Sequence, residues 1–223
     1  MRPNPVAMEP LDRRTLLRML AATGAAVGAG ALGTAPAFGT EQAAPTISSC
    51  ATWGARAATE SITVLNSRPT KILVHHTDTP NSTDYSQAHA FSLSRSIQDH
   101  HIDDNHWIDT GQHFTNSRGG YVTEGRHQSL AALRDGHKMV RAAHCPGQND
   151  IAIGIENEGN YMSTQPPAKL YSSLVSLCAY ICTQYDIKPT AIYGHRDYYN
   201  TDCPGDVLYK MLPQLRKDVA AKL

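Results

Sequence analysis

The sequence has no surplus of either charge. Lysine and arginine together number 20, as do aspartate and glutamate, so 223 residues carry a formal net charge of zero. No long basic run breaks that balance. This argues against nucleic acid or anionic lipid as a main partner, since both select clustered Lys and Arg. A neutral or mixed-charge polymer suits such a surface better. Also missing is a stretch of about 20 strongly apolar residues, the length a membrane-spanning helix needs. There is no internal repeat, no sign of a second domain and no low-complexity tail. What remains reads as one globular domain with an N-terminal addition.

That addition is distinct. Asp12-Arg13-Arg14-Thr15-Leu16-Leu17-Arg18 leads into a small Ala/Gly/Leu run to Leu32, followed by Ala35-Pro36-Ala37. A charged segment, a short apolar segment and an A-x-A site make a secretory signal. Paired arginines before paired leucines look like a twin-arginine address. A membrane-anchor helix is the competing reading; the glycine-rich, weakly hydrophobic run argues against it and against stable membrane insertion. The expected organisation is a signal at 1–37, a flexible polar lead at 38–49 and the domain at 50–223. Losing the signal removes four arginines and two acids, which leaves a net charge of about −2.

The cysteines are Cys50, Cys145, Cys178, Cys182 and Cys203. An odd number in an exported protein suggests one free or metal-bound thiol. If Cys203 binds a metal, four remain for disulfides. Cys178 and Cys182 sit one helical turn apart and would not readily pair together. Cys50 and Cys145 are then their expected partners, in either order.

The chain alternates strand and helix signals. Ile62–Leu65 and Ile72–His75 read as strands. Ala88, Phe91, Leu93 and Ile97 recur at helical spacing between about Tyr85 and His101. Phe114–Asn116 and Tyr121–Thr123 flank Ser117-Arg118-Gly119-Gly120, a hairpin signal. Ile151–Glu156 is a buried-type strand. Pro167 opens a helix with Leu170, Leu174, Leu177, Cys178 and Ile181 on one face. Ala191–Tyr193 is a strand end, and Val207 to Leu215 a final helix. The fold class expected is α/β, a single domain with helices packed on a central sheet.

Two stretches carry chemistry. Ala191-Ile192-Tyr193-Gly194 delivers His195 into a loop that returns Cys203 before Pro204-Gly205. Imidazole and thiolate are both zinc ligands, and a catalytic zinc needs a third. Val74-His75-His76-Thr77 can supply it. Successive strand side chains point to opposite faces, so only one of the two histidines can join. The competing readings are a sheet-end histidine bonded to backbone and a disulfide through Cys203. Hydrolysis also wants a general base. Glu156 ends an apolar strand where burial would raise its pKa; Glu158 shares its face, and an exposed carboxylate is the plain alternative. Thr201, two residues before Cys203, could steady an oxyanion.

These residues resemble the zinc-dependent N-acetylmuramoyl-L-alanine amidases of the peptidoglycan-recognition-protein type. The resemblance is carried in order by Trp53-Gly54-Ala55-Arg56, Val74-His75-His76-Thr77, Trp107-Ile108-Asp109-Thr110-Gly111-Gln112-His113-Phe114, Glu124-Gly125-Arg126, Ala143-His144, Ile153-Gly154-Ile155-Glu156, Gly194-His195 and Cys203-Pro204-Gly205. It implies a mixed central sheet and a peptidoglycan groove over a zinc ion held by His75, His195 and Cys203. It implies Glu156 rather than Glu158 as base, Thr201 as transition-state stabiliser, and His144 and Asn149 in the substrate groove. Gln112 stands where relatives often carry a tyrosine that takes part in catalysis. A glutamine can bond a zinc water or substrate but cannot carry a proton, which shifts weight to Glu156. With the export signal, the expectation is a secreted or wall-associated protein, a monomer, acting on muropeptide. Its alternative is a family member that binds peptidoglycan without cutting it, typically one that has lost the ligand cysteine.

Overall fold

The computed structural model describes residues 44–223. The expected signal at 1–37 and the first part of the lead lie outside the described residues.

Six strands form a mixed sheet in the order β1 (Ile47–Ser48), β5 (Val122–Glu124), β4 (Phe114–Asn116), β7 (Ala152–Asn157), β3 (Lys71–His76), β8 (Ile192–Gly194). Only β4 and β5 run antiparallel within it, as the hairpin signal requires. A separate antiparallel pair joins β2 (Val64–Leu65) to β6 (Met139–Val140). The expected α/β class and mixed sheet are what the chain adopts. Among the described residues, no helix is long and apolar enough to cross a membrane.

Strand alternation divides the sheet's two faces. Ile72 and Val74 of β3, Ile153 and Ile155 of β7, and Ile192 of β8 are all but fully buried. They pack with Leu170, Leu174 and Leu177 of α4 (Ala168–Tyr185) and Leu208, Leu212 and Leu215 of α5 (Asp206–Ala220). This layer is the main hydrophobic core, and its burial is the principal stabilising term. The intervening side chains of β3 and β7, among them His75 and Glu156, point to the other face. In-register pairing puts His75 directly beside Glu156.

Three expectations are corrected. No disulfide joins the five cysteines; all are free thiols. Cys178 and Cys182 face the core from α4, while Cys145 packs with Leu73 and Ala152 on the sheet's other face. The Cys50 thiol meets the Gly125 carbonyl at 3.3 Å instead of another sulfur. The flexible lead does not extend to residue 49. Ile47 and Ser48 pair with Val122 and Thr123, and the Ser49 hydroxyl caps the short helix α1 (Cys50–Trp53). The apolar stripe expected on the second helix is also not its buried face. In α2 (Gln87–Asp99) the buried residues are Ala90, Ser94 and Gln98, while Phe91, Leu93 and Ile97 are half-buried and Ala88 is exposed.

That face is polar because its groups are satisfied. The Ser94 and Thr123 hydroxyls are 2.7 Å apart. Gln98 accepts from Arg56 N at 2.9 Å, and its amide donates to Arg56 O at 2.9 Å and Asp109 Oδ1 at 2.8 Å. Helix α3 (Ser129–Asp135) buries Leu130, Ala132 and Leu133 and also starts on a carboxylate. Glu124 accepts from Leu130 N with one carboxylate oxygen and from Cys50 N with the other, both at 2.9 Å.

Gln98→Leu therefore tests the polar reading of α2. Leucine suits an apolar helix face but would strand Asp109 Oδ1 and the Arg56 backbone, a loss of about 1–3 kcal/mol. Urea unfolding is expected to show that loss at unchanged slope; a stabilised variant would contradict it.

Candidate active site

Ligands in open α/β sheets tend to bind beyond the carboxyl ends of parallel strands. Three neighbouring strands here end in chemistry. His75 is the penultimate residue of β3, Glu156 is the penultimate residue of β7, and His195 follows β8 immediately. The loop after β8 brings back Cys203. Arg196 N–H donates to Cys203 O at 3.1 Å, Cys203 N–H donates to Thr201 Oγ1 at 3.2 Å, and the Arg196 guanidinium holds Asp206 at 2.7 Å.

The ligating atoms of His75, His195 and Cys203 all lie within 4.8 Å of one another. His75 Nδ1 is 3.7 Å from Cys203 Sγ. Tetrahedral zinc with ordinary bond lengths would set a nitrogen and a sulfur about 3.5 Å apart. His195 Nε2 is buried without a hydrogen-bond partner. Burial keeps both imidazoles neutral, pushing the His75 pKa well below the usual value and lowering that of His195. Their lone pairs are thus available, as ligation requires. Burial pushes the Cys203 thiol up to about 12, opposed by the His76 N–H that donates to its sulfur at 3.3 Å. A cation at the sulfur would reverse that balance. The donor set fits a zinc ion.

His76 points to the opposite face, where its Nδ1 accepts from Tyr161 N at 3.3 Å. The two glutamates also separate. Glu158 is 1% exposed and committed, at 2.6 Å from His89 Nε2 and accepting from Arg118 N at 2.7 Å. Glu156 instead faces a cavity of about 550 Å³ shared with His75, His195 and Cys203, where desolvation pushes its carboxyl up to about 7.

Trp107, Gln112, His144, Asn160 and Thr201 line the same cavity. Gln112 donates from Nε2 to Thr115 Oγ1 at 2.8 Å, and its Oε1 is buried without a partner. His144 Nδ1 lies 3.1 Å from His75 Nε2. Asn149 is not in the cavity. Its Oδ1 accepts from the backbone N–H of both His144 and Cys145 at 2.9 Å, so it shapes the loop that carries His144. Sequence reasoning missed His101, Asn160 and Met162 on the cavity wall. Gly111 was a signal for part of it, since a Cβ there would come within 2.5 Å of the Trp107 ring.

With this geometry in place, comparison with known proteins is informative. A family model described as N-acetylmuramoyl-L-alanine amidase matches residues 65–206. The chain is similar to peptidoglycan recognition protein 1 of Bos indicus, 35% identical over 127 residues covering 54% of this chain. It is similar to the N-acetylmuramoyl-L-alanine amidase of Homo sapiens, 34% identical over 145 residues covering 63% of this chain. Those matches span 60% of the bovine protein and 23% of the human one. Among solved structures, wild-type Drosophila peptidoglycan-recognition protein LB superposes with a TM-score of 0.65 at 27% identity, covering 75% of this chain and 92% of that one. A mutant of that insect protein, solved in complex with tracheal cytotoxin, matches equally at 0.65. Motif order, sheet topology and the matched span agree, and the chain belongs to the N-acetylmuramoyl-L-alanine amidase family, with the peptidoglycan recognition proteins among its relatives.

Proposed function

We propose that this protein is an exported zinc amidase that cleaves the amide between the lactyl group of N-acetylmuramic acid and L-alanine in peptidoglycan. The observation that carries the proposal is the gathering of His75, His195 and Cys203 beside an uncommitted Glu156. Zinc held by those three residues would acidify a bound water toward a pKa of about 7 and polarise the scissile carbonyl.

The chain's own groups supply the rest. Glu156 takes a proton from water as its oxygen bonds to the carbonyl carbon. Burial suits the carboxyl to this task, because a base titrating near 7 both accepts and returns a proton at neutral pH. Thr201 Oγ1 already accepts from Cys203 N, which leaves its O–H to donate to the developing oxyanion. As the C–N bond breaks, Glu156 returns the proton to the departing alanine nitrogen. The products are a free lactyl carboxylate and a free peptide amine. Gln112 and His144 would bear on bound substrate from the cavity wall. Gln112 has no titratable group, so Glu156 serves both transfers.

The insect relative's complex with tracheal cytotoxin, a monomeric peptidoglycan, supports the substrate class. Similarity to recognition proteins favours a second reading, binding without cleavage. The complete ligand set weighs toward hydrolysis. The near-neutral charge is compatible with a mixed polymer substrate acted on by a monomer, and the twin-arginine-like N-terminus supports export.

Two outcomes follow from these assignments. Cys203→Ser is expected to cut muropeptide amidase activity more than about 100-fold and to lower bound zinc in parallel, as chelation of the wild type would. Full activity in Cys203→Ser would overturn the proposal.

Glu156→Gln should lower kcat by about 10²–10⁴-fold and abolish the acid limb of the pH profile near 7. Stability should move the other way. A carboxyl whose pKa is raised on folding costs nothing below its unfolded value and destabilises as pH climbs through about 7. In zinc-stripped protein at pH 8, Glu156→Gln is therefore expected to gain about 1–3 kcal/mol, and at pH 4 nothing. Equal melting temperatures for wild type and variant at pH 8 would show that Glu156 is not desolvated.

A further inference from the structure

We infer that His144 is a positioning residue: it accepts a hydrogen bond from His75 Nε2–H and so fixes His75 in the tautomer whose Nδ1 lone pair faces Cys203. The inference rests on the zinc reading above and adds how one ligand is oriented for it.

The proton assignment follows link by link. His144 Nε2 is 3.2 Å from Ala152 O. A carbonyl oxygen can only accept, so that nitrogen carries the hydrogen. The ring is half-buried and no carboxylate hydrogen-bonds it, so nothing there pairs with a second proton, and its Nδ1 presents a bare lone pair. That lone pair lies 3.1 Å from His75 Nε2. Two lone pairs at this separation would repel, so His75 Nε2 must carry its own hydrogen. The other nitrogen of His75, Nδ1, is then unprotonated, and it is the one 3.7 Å from Cys203 Sγ. A metal-ligating histidine needs this arrangement, with one nitrogen bare toward the metal and the other hydrogen-bonded so that tautomer and ring angle are fixed.

The surroundings are built around the His144 ring. A Cβ on Gly154 would come within 2.5 Å of its Cγ, so β7 has a glycine where the ring must lie. Asn149 Oδ1 accepts the His144 and Cys145 N–H groups at 2.9 Å and fixes the loop. Gly154 N–H donates to His113 Nδ1 at 3.0 Å, with the His113 ring edge-on to His144 at 5.5 Å. A side chain that only touched substrate would not require this seat beneath it.

Two measurements test the inference. The first uses zinc-stripped wild type and needs no variant. Nitrogen-15 shifts and long-range proton couplings of His75 are expected to report the Nε2–H tautomer; an Nδ1–H tautomer would overturn the inference. The second compares zinc affinity, by chelator competition at pH 7.5, in wild type, His144→Phe and His144→Gln. Phenylalanine keeps a ring over Gly154 but cannot accept a hydrogen bond; the glutamine oxygen can. His144→Phe is expected to bind zinc about 10–100-fold more weakly, with most of the loss recovered in His144→Gln. Wild-type affinity in His144→Phe would overturn the inference while leaving the zinc reading intact. A wild type that takes up no zinc yet shows the Nε2–H tautomer would instead sink the zinc reading and uphold the tautomer assignment.

Discussion

The in-register parallel pairing of β3 between β7 and β8 is the constraint on which the site depends. It aligns His75 with Glu156 and Val74 with Gly194, which places His195 one residue past the end of the ladder. The strand period is two, so a slip of one residue would turn every side chain to the other face. His75 would then face the core and Ile72 the cavity. Burial of Ile72, Val74, Ile153, Ile155 and Ile192 against α4 and α5 opposes such a slip. The same hydrophobic burial that stabilises the sheet therefore sets the geometry of the face that carries the candidate site.

That face is costly in its own terms. Two imidazoles, a thiol and a carboxyl converge on a partly desolvated cavity, and each shifts toward its neutral form. Neutral imidazoles and a protonated carboxyl make the metal-free site tolerable. A divalent cation would change the balance by drawing the proton off Cys203 and leaving Glu156 the natural acceptor for others. Burial thus does two things at once: it keeps ligand lone pairs available and tunes a glutamate to neutral pH. Glu158 shows the contrast. Two residues away, it is held by His89 and the Arg118 N–H, which makes it a structural carboxylate.

Much of this was legible in the sequence. Short apolar, β-branched runs gave β3 and β7, the glycine-bearing turn gave the β4–β5 hairpin, and the spacing of Leu170 to Ile181 gave α4. The His75, His195 and Cys203 set followed from ligand chemistry and strand alternation, once the resemblance chose between His75 and His76. What escaped is too short to show a hydrophobic period or is held by specific hydrogen bonds. Helices α1 and α3 are short, and both start on the carboxylate of Glu124. Helix α2 buries Ser94 and Gln98 through partners far along the chain. The disulfides expected from cysteine parity are absent because Cys50 and Cys145 each pack apart from the core that holds Cys178 and Cys182. Asn149 lies beside the groove in sequence but acts on backbone, a distinction that needs coordinates.

The central claim is that two imidazoles and one thiolate hold a zinc ion at the carboxyl ends of β3 and β8. X-ray absorption at the zinc edge of the purified mature protein tests it most directly. The account requires one sulfur at about 2.3 Å, two imidazole nitrogens at about 2.0 Å and one further light ligand. A spectrum without a sulfur neighbour, or a protein that retains no zinc, would contradict it.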